Sequence, residues 1–297
     1  MNAILRIPGR RCLCTLICAA VVAVCVCIGV TMNLTTLYDE NFDHMGLRTF
    51  CMFTVNSNIL CAIAMMLTLP YTVDGLRKKN FHMPNWIVDL LLAGVTSVGL
   101  TFVISLCVLS PVKGFVLIFT GSRFFLHGLC PILAIIAFCF LITDHVISLR
   151  ETLLALLPVL LYAMVYYFMV EILGPKNGGW DDFYGFFTKI PSWVSLLSFM
   201  PLTFGVAAVL RFLHNRSTRR MRQRTAELYL REFDGKDVRE QIAAVAKRNP
   251  SGGNRGNIVI PVWLLETVIR NSGGELSVPE ACGIYLDTVL EQDKGKE

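Results

Sequence analysis

Charge is scarce in this chain. Of its 297 residues only 16% are Asp, Glu, Lys or Arg, against 54% hydrophobic, and the mean hydropathy is +0.58. That balance argues against one or two soluble domains, which the length alone would allow. Other absences narrow the field further. No Gly-x-Ser-x-Gly elbow is present, which excludes an ordinary soluble α/β hydrolase. The apolar/polar alternation of a barrel strand is missing. Eleven cysteines are present, but the Cys-x-Cys pairs at Cys12–Cys14 and Cys25–Cys27 have no His or further paired Cys nearby, so no zinc site and no other cofactor is expected. Ten of the eleven lie in or at the edge of apolar runs, where free Cys behaves as a small hydrophobe.

What the chain does have is six long apolar stretches, at 12–32, 51–70, 87–110, 124–143, 152–173 and 192–213. About 20 mostly apolar residues cross about 30 Å of hydrocarbon. Backbone groups in lipid must be satisfied within the segment, so the expectation is an all-α bundle of six transmembrane helices. The first stretch follows Arg6, Arg10 and Arg11 like a leader peptide. Its run from Cys12 to Val30 is longer than a usual leader core, and no small-x-small cleavage site follows, so it is read as a span. Alternate connecting segments differ in basic residues: thirteen Lys and Arg fall on one side and five on the other. The rule that basic loops stay inside puts the first set, and both termini, in the cytoplasm of a multi-pass cell-membrane protein. The opposite loops carry acids, Asp39, Glu40 and Asp43, then Asp181 and Asp182. Trp86 and Trp193 fall at span ends, where interfacial Trp is expected.

The boundary expected from composition is 1–213 for the bundle and 214–297 for a short, partly helical cytosolic tail. The tail opens with the basic run His214-Asn-Arg-Ser-Thr-Arg-Arg-Met-Arg-Gln-Arg224. Such a run either fixes topology or attracts anionic lipid headgroups, at about 1 kcal/mol per basic residue near the surface. No aromatics interleave with the charges, so nucleic acid is not expected as a partner. Helix is expected over 225–248, and the breakers of 249–257 mark a linker. Pro261 opens a helix to Asn271. Ser277 and Glu280 have the spacing of a capping box. The tail holds too little apolar content to mark it as a separate domain.

Polar residues inside the spans are few and patterned. In the second, Thr54, Ser57, Asn58 and Cys61 recur at i, i+3, i+4 and i+7, which puts them on one helix face. An amide will not face lipid, so the stripe points into the bundle. Ser97, Thr101 and Ser105 repeat every fourth residue in the third span, and Arg123, His127 and Pro131 do so in the fourth. Thr54 and His127 each lie about 5 Å inside the outer boundary at 1.5 Å rise per residue. A hydroxyl beside an imidazole is the minimum set for nucleophilic catalysis. The same residue types also serve as interhelical hydrogen-bonding groups with no chemistry attached.

Three segments carry a family resemblance. Met52-Phe-Thr-Val-Asn-Ser-Asn-Ile-Leu60 resembles the Phe-Thr-x-x-Ser/Thr-Asn signature of a bacterial group of six-span membrane proteins. Phe125-Leu-His-Gly-Leu-Cys-Pro131 is similar to its Leu-His-x-x-x-Pro signature, and Leu157-Pro-Val-Leu-Leu-Tyr162 to its Pro-x-x-x-Tyr. That group is related to the androgen-induced and androgen-dependent family of integral membrane threonine hydrolases, which cleave fatty acid esters of hydroxy fatty acids. The resemblance covers about residues 12–213. It implies Thr54 as nucleophile and His127 as general base; Asn58, Ser57 and Arg123, from the polar faces described above, are the supporting candidates. The group often carries Asp-Trp after its His-x-x-x-Pro, where this chain has Ala137 and Phe138. One acid that could orient the imidazole is therefore missing. The group's aromatic segment after the fifth span is here Gly178-Gly-Trp-Asp-Asp-Phe-Tyr-Gly185, loosely similar.

Three functions stay open on the sequence. One is a membrane-embedded hydrolase of lipid esters entering from the outer leaflet, with Arg123 or Asn58 stabilising the oxyanion. A second is a non-enzymatic membrane protein whose cytosolic tail binds a partner. The third is a small-molecule transporter, against which stand the lack of an inverted repeat and of an interrupted pair of spans.

Overall fold

The chain is described by a computed structural model. It covers residues 2–35, 46–78, 83–143, 145–185, 187, 192–232, 237–248, 260–274 and 276–294. The 249–257 linker, the acids Asp39, Glu40 and Asp43, and Lys189 lie outside the described residues, as does the side chain of Trp193. Among the described residues every regular element is a helix. In order they are α1 (Asn2–Thr35), α2 (Phe53–Leu67), α3 (Leu69–Lys78), α4 (Asn85–Ile104), α5 (Ser110–Lys113), α6 (Phe115–Ile118), α7 (Cys130–Ile136), α8 (Leu149–Leu154), α9 (Leu157–Tyr167), α10 (Ser192–Glu232), α11 (Val238–Arg248), α12 (Val262–Asn271) and α13 (Val278–Lys294). Wide π-helical turns at Ser105–Leu109, Phe124–Leu129, Ala137–Leu141 and Phe168–Leu173 extend the long helices.

Five helical stretches among the described residues are long and apolar enough to cross a membrane: Arg10–Thr35, Phe53–Arg77, Asn85–Lys113, Phe124–Leu141 and Leu149–Leu173. The sixth apolar run, 192–213, forms the first part of the 41-residue α10, which contains Pro201 and continues through the basic segment 214–224.

The chain divides into two units. One holds Cys14–Leu69 and Met83–Asn215; the other holds Met1–Leu13, Pro70–His82 and Arg216–Glu297. In the larger unit α4 is the central helix, with Val88, Leu91, Leu92, Val95 and Val98 fully buried. Small residues let its neighbour come close. A Cβ added at Gly94 would lie 2.9 Å from the Cα of Cys61 on α2. The helices around α4 turn large apolar side chains outward instead, among them Ile63, Ile132, Leu161 and Met164. Apolar surface on this scale marks a lipid or protein contact. All eleven cysteines are free thiols.

The smaller unit has a core of its own, which its low apolar content did not suggest. Ile242, Val245, Leu264, Leu265, Val268, Ala281, Tyr285 and Val289 from α11, α12 and α13 pack together. The apolar residues are few, but they fall on one face of each short helix. Pro261 precedes α12 as expected. The Ser277–Glu280 box closes at the start of α13: Ser277 N–H and hydroxyl both donate to Glu280 Oε2, at 2.8 and 2.7 Å. Arg222 lies over the Trp263 ring at 5.5 Å, while Arg216, Arg219, Arg220 and Arg224 are exposed.

Candidate functional site

Thr54 is the second residue of α2. The first N–H groups of a helix have no partner within it. Here the Phe53 N–H donates to the Tyr184 hydroxyl at 2.9 Å. The same phenol is in hydrogen-bonding contact with Thr54. Burial raises the phenol above its usual range, so it stays neutral. Tyr184 belongs to the aromatic segment before α10, which Asp182 organises. The Tyr166 hydroxyl donates to Asp182 Oδ1 at 2.8 Å, and the Phe187 N–H donates to Oδ2 at 2.9 Å.

On the same face of α2, Asn58 is fully buried. Its Nδ2 donates to Thr54 O at 2.7 Å and across the bundle to Leu126 O at 2.9 Å. Both amide hydrogens are therefore committed, which leaves Asn58 no hydrogen for an oxyanion. Its place is to hold α2 against the turn that carries His127. Ser57 is buried and donates back to Thr54 O at 3.0 Å.

His127 sits in the π-helical turn Phe124–Leu129. Pro131, four residues on, has no N–H to give to the His127 carbonyl. Turns of this kind occur often at functional sites. The imidazole Nδ1 lies 3.1 Å from the hydroxyl of Ser105. Ser105 opens another such turn, at the end of α4. This serine had the periodicity of an interior residue, but nothing in the sequence paired it with His127.

The three motif-bearing segments meet here. Asn58 of the first touches the Leu126 carbonyl of the second. Tyr162 of the third donates to the carbonyl of Cys51, just before the first, at 2.6 Å, and its ring lies 5.1 Å from Phe53.

Between them is a cavity of about 490 Å³, within the range of small-molecule sites. Its wall is mostly apolar: Met52, Phe53, Val55, Leu100, Ile104, Leu109, Leu126, Val159 and Phe199. Its polar groups are Asn33, Thr54, Thr101, Ser105, Lys113, Ser122, Arg123, His127, Tyr162, Tyr166 and Tyr184. Thr54 and His127 thus share one cavity, as does Arg123, while Asn58 and Ser57 sit behind its wall. No hydrogen bond among the described residues links Thr54 to His127 directly.

A second polar group lies elsewhere in the larger unit. Asp89, His145 and Glu151 bring one ligand-type atom each within 4.8 Å of one another. Of its parts only Ser148-Leu-Arg-Glu151 had a signal in the sequence, the capping-box spacing, and the box forms at the start of α8.

Comparison with protein-family models, curated proteins and solved structures gives no match.

Proposed function

We propose that the chain is a six-span protein of the cell membrane, with both termini cytoplasmic, that hydrolyses a fatty acid ester of a lipid. The observation that carries this reading is the cavity, where a hydroxyl, an imidazole and a guanidinium line a largely apolar wall. An acyl chain needs that wall, and its ester needs the polar groups.

In the reaction, Thr54 Oγ attacks the carbonyl carbon and its proton passes to His127 Nε2. With Nδ1 donating to Ser105, Nε2 carries the lone pair that accepts it. Ser105 so takes the orienting place of the missing acid, though a neutral hydroxyl adds no charge. Arg123 meets the oxyanion, where fixed donors gain most from a low dielectric. The carbonyl–oxygen bond then breaks, and the imidazolium returns the proton to the departing alkoxide. Water repeats the cycle on the acyl-threonine and releases the fatty acid. Proton transfer needs about 2.6–3.2 Å or one bridging water, and such contacts often tighten only with substrate present.

The test is purified protein in detergent with a fluorophosphonate probe and a panel of fatty acid esters. Thr54→Ala and His127→Ala should each abolish labelling and turnover while the fold survives. Activity that persists in both refutes the reading and leaves these side chains as interhelical hydrogen-bonding groups. The 3.1 Å contact favours one second reading, with Ser105 itself as the nucleophile. The mass of the probe adduct on the Thr54 or the Ser105 peptide decides between them. Cysteine labelling from outside intact cells should reach the 34–49 and 174–190 loops and not the tail; a labelled tail overturns the orientation.

A further inference from the structure

We propose that Asp89, His145 and Glu151 form a binding site for a divalent transition cation, zinc first, which ties the N-terminal part of α4 to the first turn of α8. The site is independent of the hydrolase reading. Asp89 and Ser105 stand sixteen residues apart along one helical stretch, about 24 Å at helical rise.

The chemistry of the group asks for a cation. Glu151 Oε2 is taken by the Ser148 N–H in the capping box, and Oε1 faces His145 Nε2 at 2.7 Å. The Asp89 carboxyl stands beside Glu151, one ligand-type atom of each within 4.8 Å, and its Oδ1 is wholly buried with no hydrogen-bond partner. A buried carboxylate oxygen is ordinarily paired or bound to a metal ion. His145 and Glu151 are themselves only 22% and 16% exposed, so solvent screens the pair poorly. One imidazole and two carboxylates make a three-ligand set of the kind zinc takes when a fourth position stays open. Bonds of about 2.0–2.2 Å require ligand separations of roughly 3–3.6 Å. Side-chain torsions can close the present spacing to that.

The loop that carries His145 is held from α10. His214 Nε2 bonds the His145 carbonyl at 2.8 Å. Asn215 both accepts from the Ile147 N–H and donates to the Ile147 carbonyl, at 2.8 and 2.9 Å. The same carbonyl also accepts from Arg211 Nε at 3.2 Å. These contacts fix the backbone of the loop and so the place from which the imidazole projects. On binding, the cation takes Nε2, Oε1 and Oδ1 in place of the His145–Glu151 hydrogen bond; the neutral imidazole keeps its one proton on Nδ1, and any proton displaced from these groups is released to solvent.

The experiment uses the full chain in detergent, stripped with a chelator and titrated with ZnCl2, MnCl2 or MgCl2. Bound metal is read by mass spectrometry and by thermal unfolding. About one zinc per chain is expected, with manganese weaker and magnesium not competing, since magnesium prefers all-oxygen sites. Asp89→Asn and His145→Gln should each weaken zinc by at least about a hundredfold, beyond the 10–100-fold typical of outer-layer changes. Glu151→Gln keeps the capping box, because Gln serves at that position too, and should lose zinc while keeping its metal-free melting point. If Asp89→Asn fails to fold, the His145 and Glu151 variants carry the test alone. A wild-type chain that holds no more zinc than His145→Gln, or variants that bind as tightly as wild type, would overturn the proposal.

Discussion

Replacing Gly94 by Ala probes the contact on which the site geometry depends. Gly94 lies on α4 where α2 comes closest, and an added Cβ would meet the Cys61 Cα at 2.9 Å and its backbone N at 3.3 Å. Both are backbone atoms, so no rotamer change relieves the clash and the helices must separate. Overpacking of this kind costs about 1–3 kcal/mol. Against that, Gly to Ala inside a helix gains roughly 0.5–1 kcal/mol. The control is Gly205→Ala on α10, where an added Cβ meets nothing within 4 Å. Both variants share the backbone gain, so the difference between them isolates the packing penalty of about 1–3 kcal/mol. Unfolding by SDS in mixed micelles measures it. Trimming Cys61 to Gly in the Gly94→Ala background should not restore stability, because the nearest atom is the Cα and not the thiol. Equal stability of the Gly94 and Gly205 variants would refute the close α2–α4 contact, and with it the position of Thr54 relative to Ser105.

Asn58→Ala should cost about 1–3 kcal/mol, since it strands the Leu126 carbonyl in the bundle; Asn56→Ala, whose hydrogen bond to the Phe50 carbonyl is exposed, should cost much less in the same unfolding assay. Replacing Arg219, Arg220 and Arg224 by Gln should weaken binding of the full-length protein's tail face to anionic vesicles, each charge contributing about 1 kcal/mol near a surface; unchanged binding, or equal binding to neutral vesicles, rejects the electrostatic account. Arg222→Gln should instead lower the stability of the tail helices, because Arg222 lies over Trp263. Hydrogen bonds from Ser277 hold the Glu280 carboxyl below its usual range, so this cap contributes fully above the unfolded carboxylate value and is lost as pH falls through the lower folded one. Wild type should therefore lose stability relative to Glu280→Gln on acidification, and a difference independent of pH would contradict the assignment.

The periodic features were legible because a helix converts spacing into direction. Thr54, Ser57 and Asn58 share a face by sequence, and Asn58 does reach across to the His127 turn. The capping box at Ser277 and the proline start of α12 rest on local chemistry, and both are present. Helix–helix register is another matter. Ser105 lies 22 residues before His127, and two short helices and two wide turns intervene. Each wide turn rotates the following face, so no period carries from α4 to α7. Tyr184 was hidden for a different reason: an irregular aromatic segment has no period to read.

The Asp89 cluster was the least visible of all, and the cause is instructive. Each member had a sufficient local explanation. Asp89 near a span end could reach water, and Glu151 sits where a capping box needs an acid. His145 is a lone histidine in a connecting loop. Only the packing of α8 beside α4, with the loop pinned by His214 and Asn215, makes one group of three. A capping glutamate needs one oxygen for its backbone N–H, and the second is left over. Where a helix start packs against another helix in a poorly solvated place, that spare oxygen needs a partner. Here it faces an imidazole at 2.7 Å and stands beside a second carboxyl, the groups from which the proposed cation site is built.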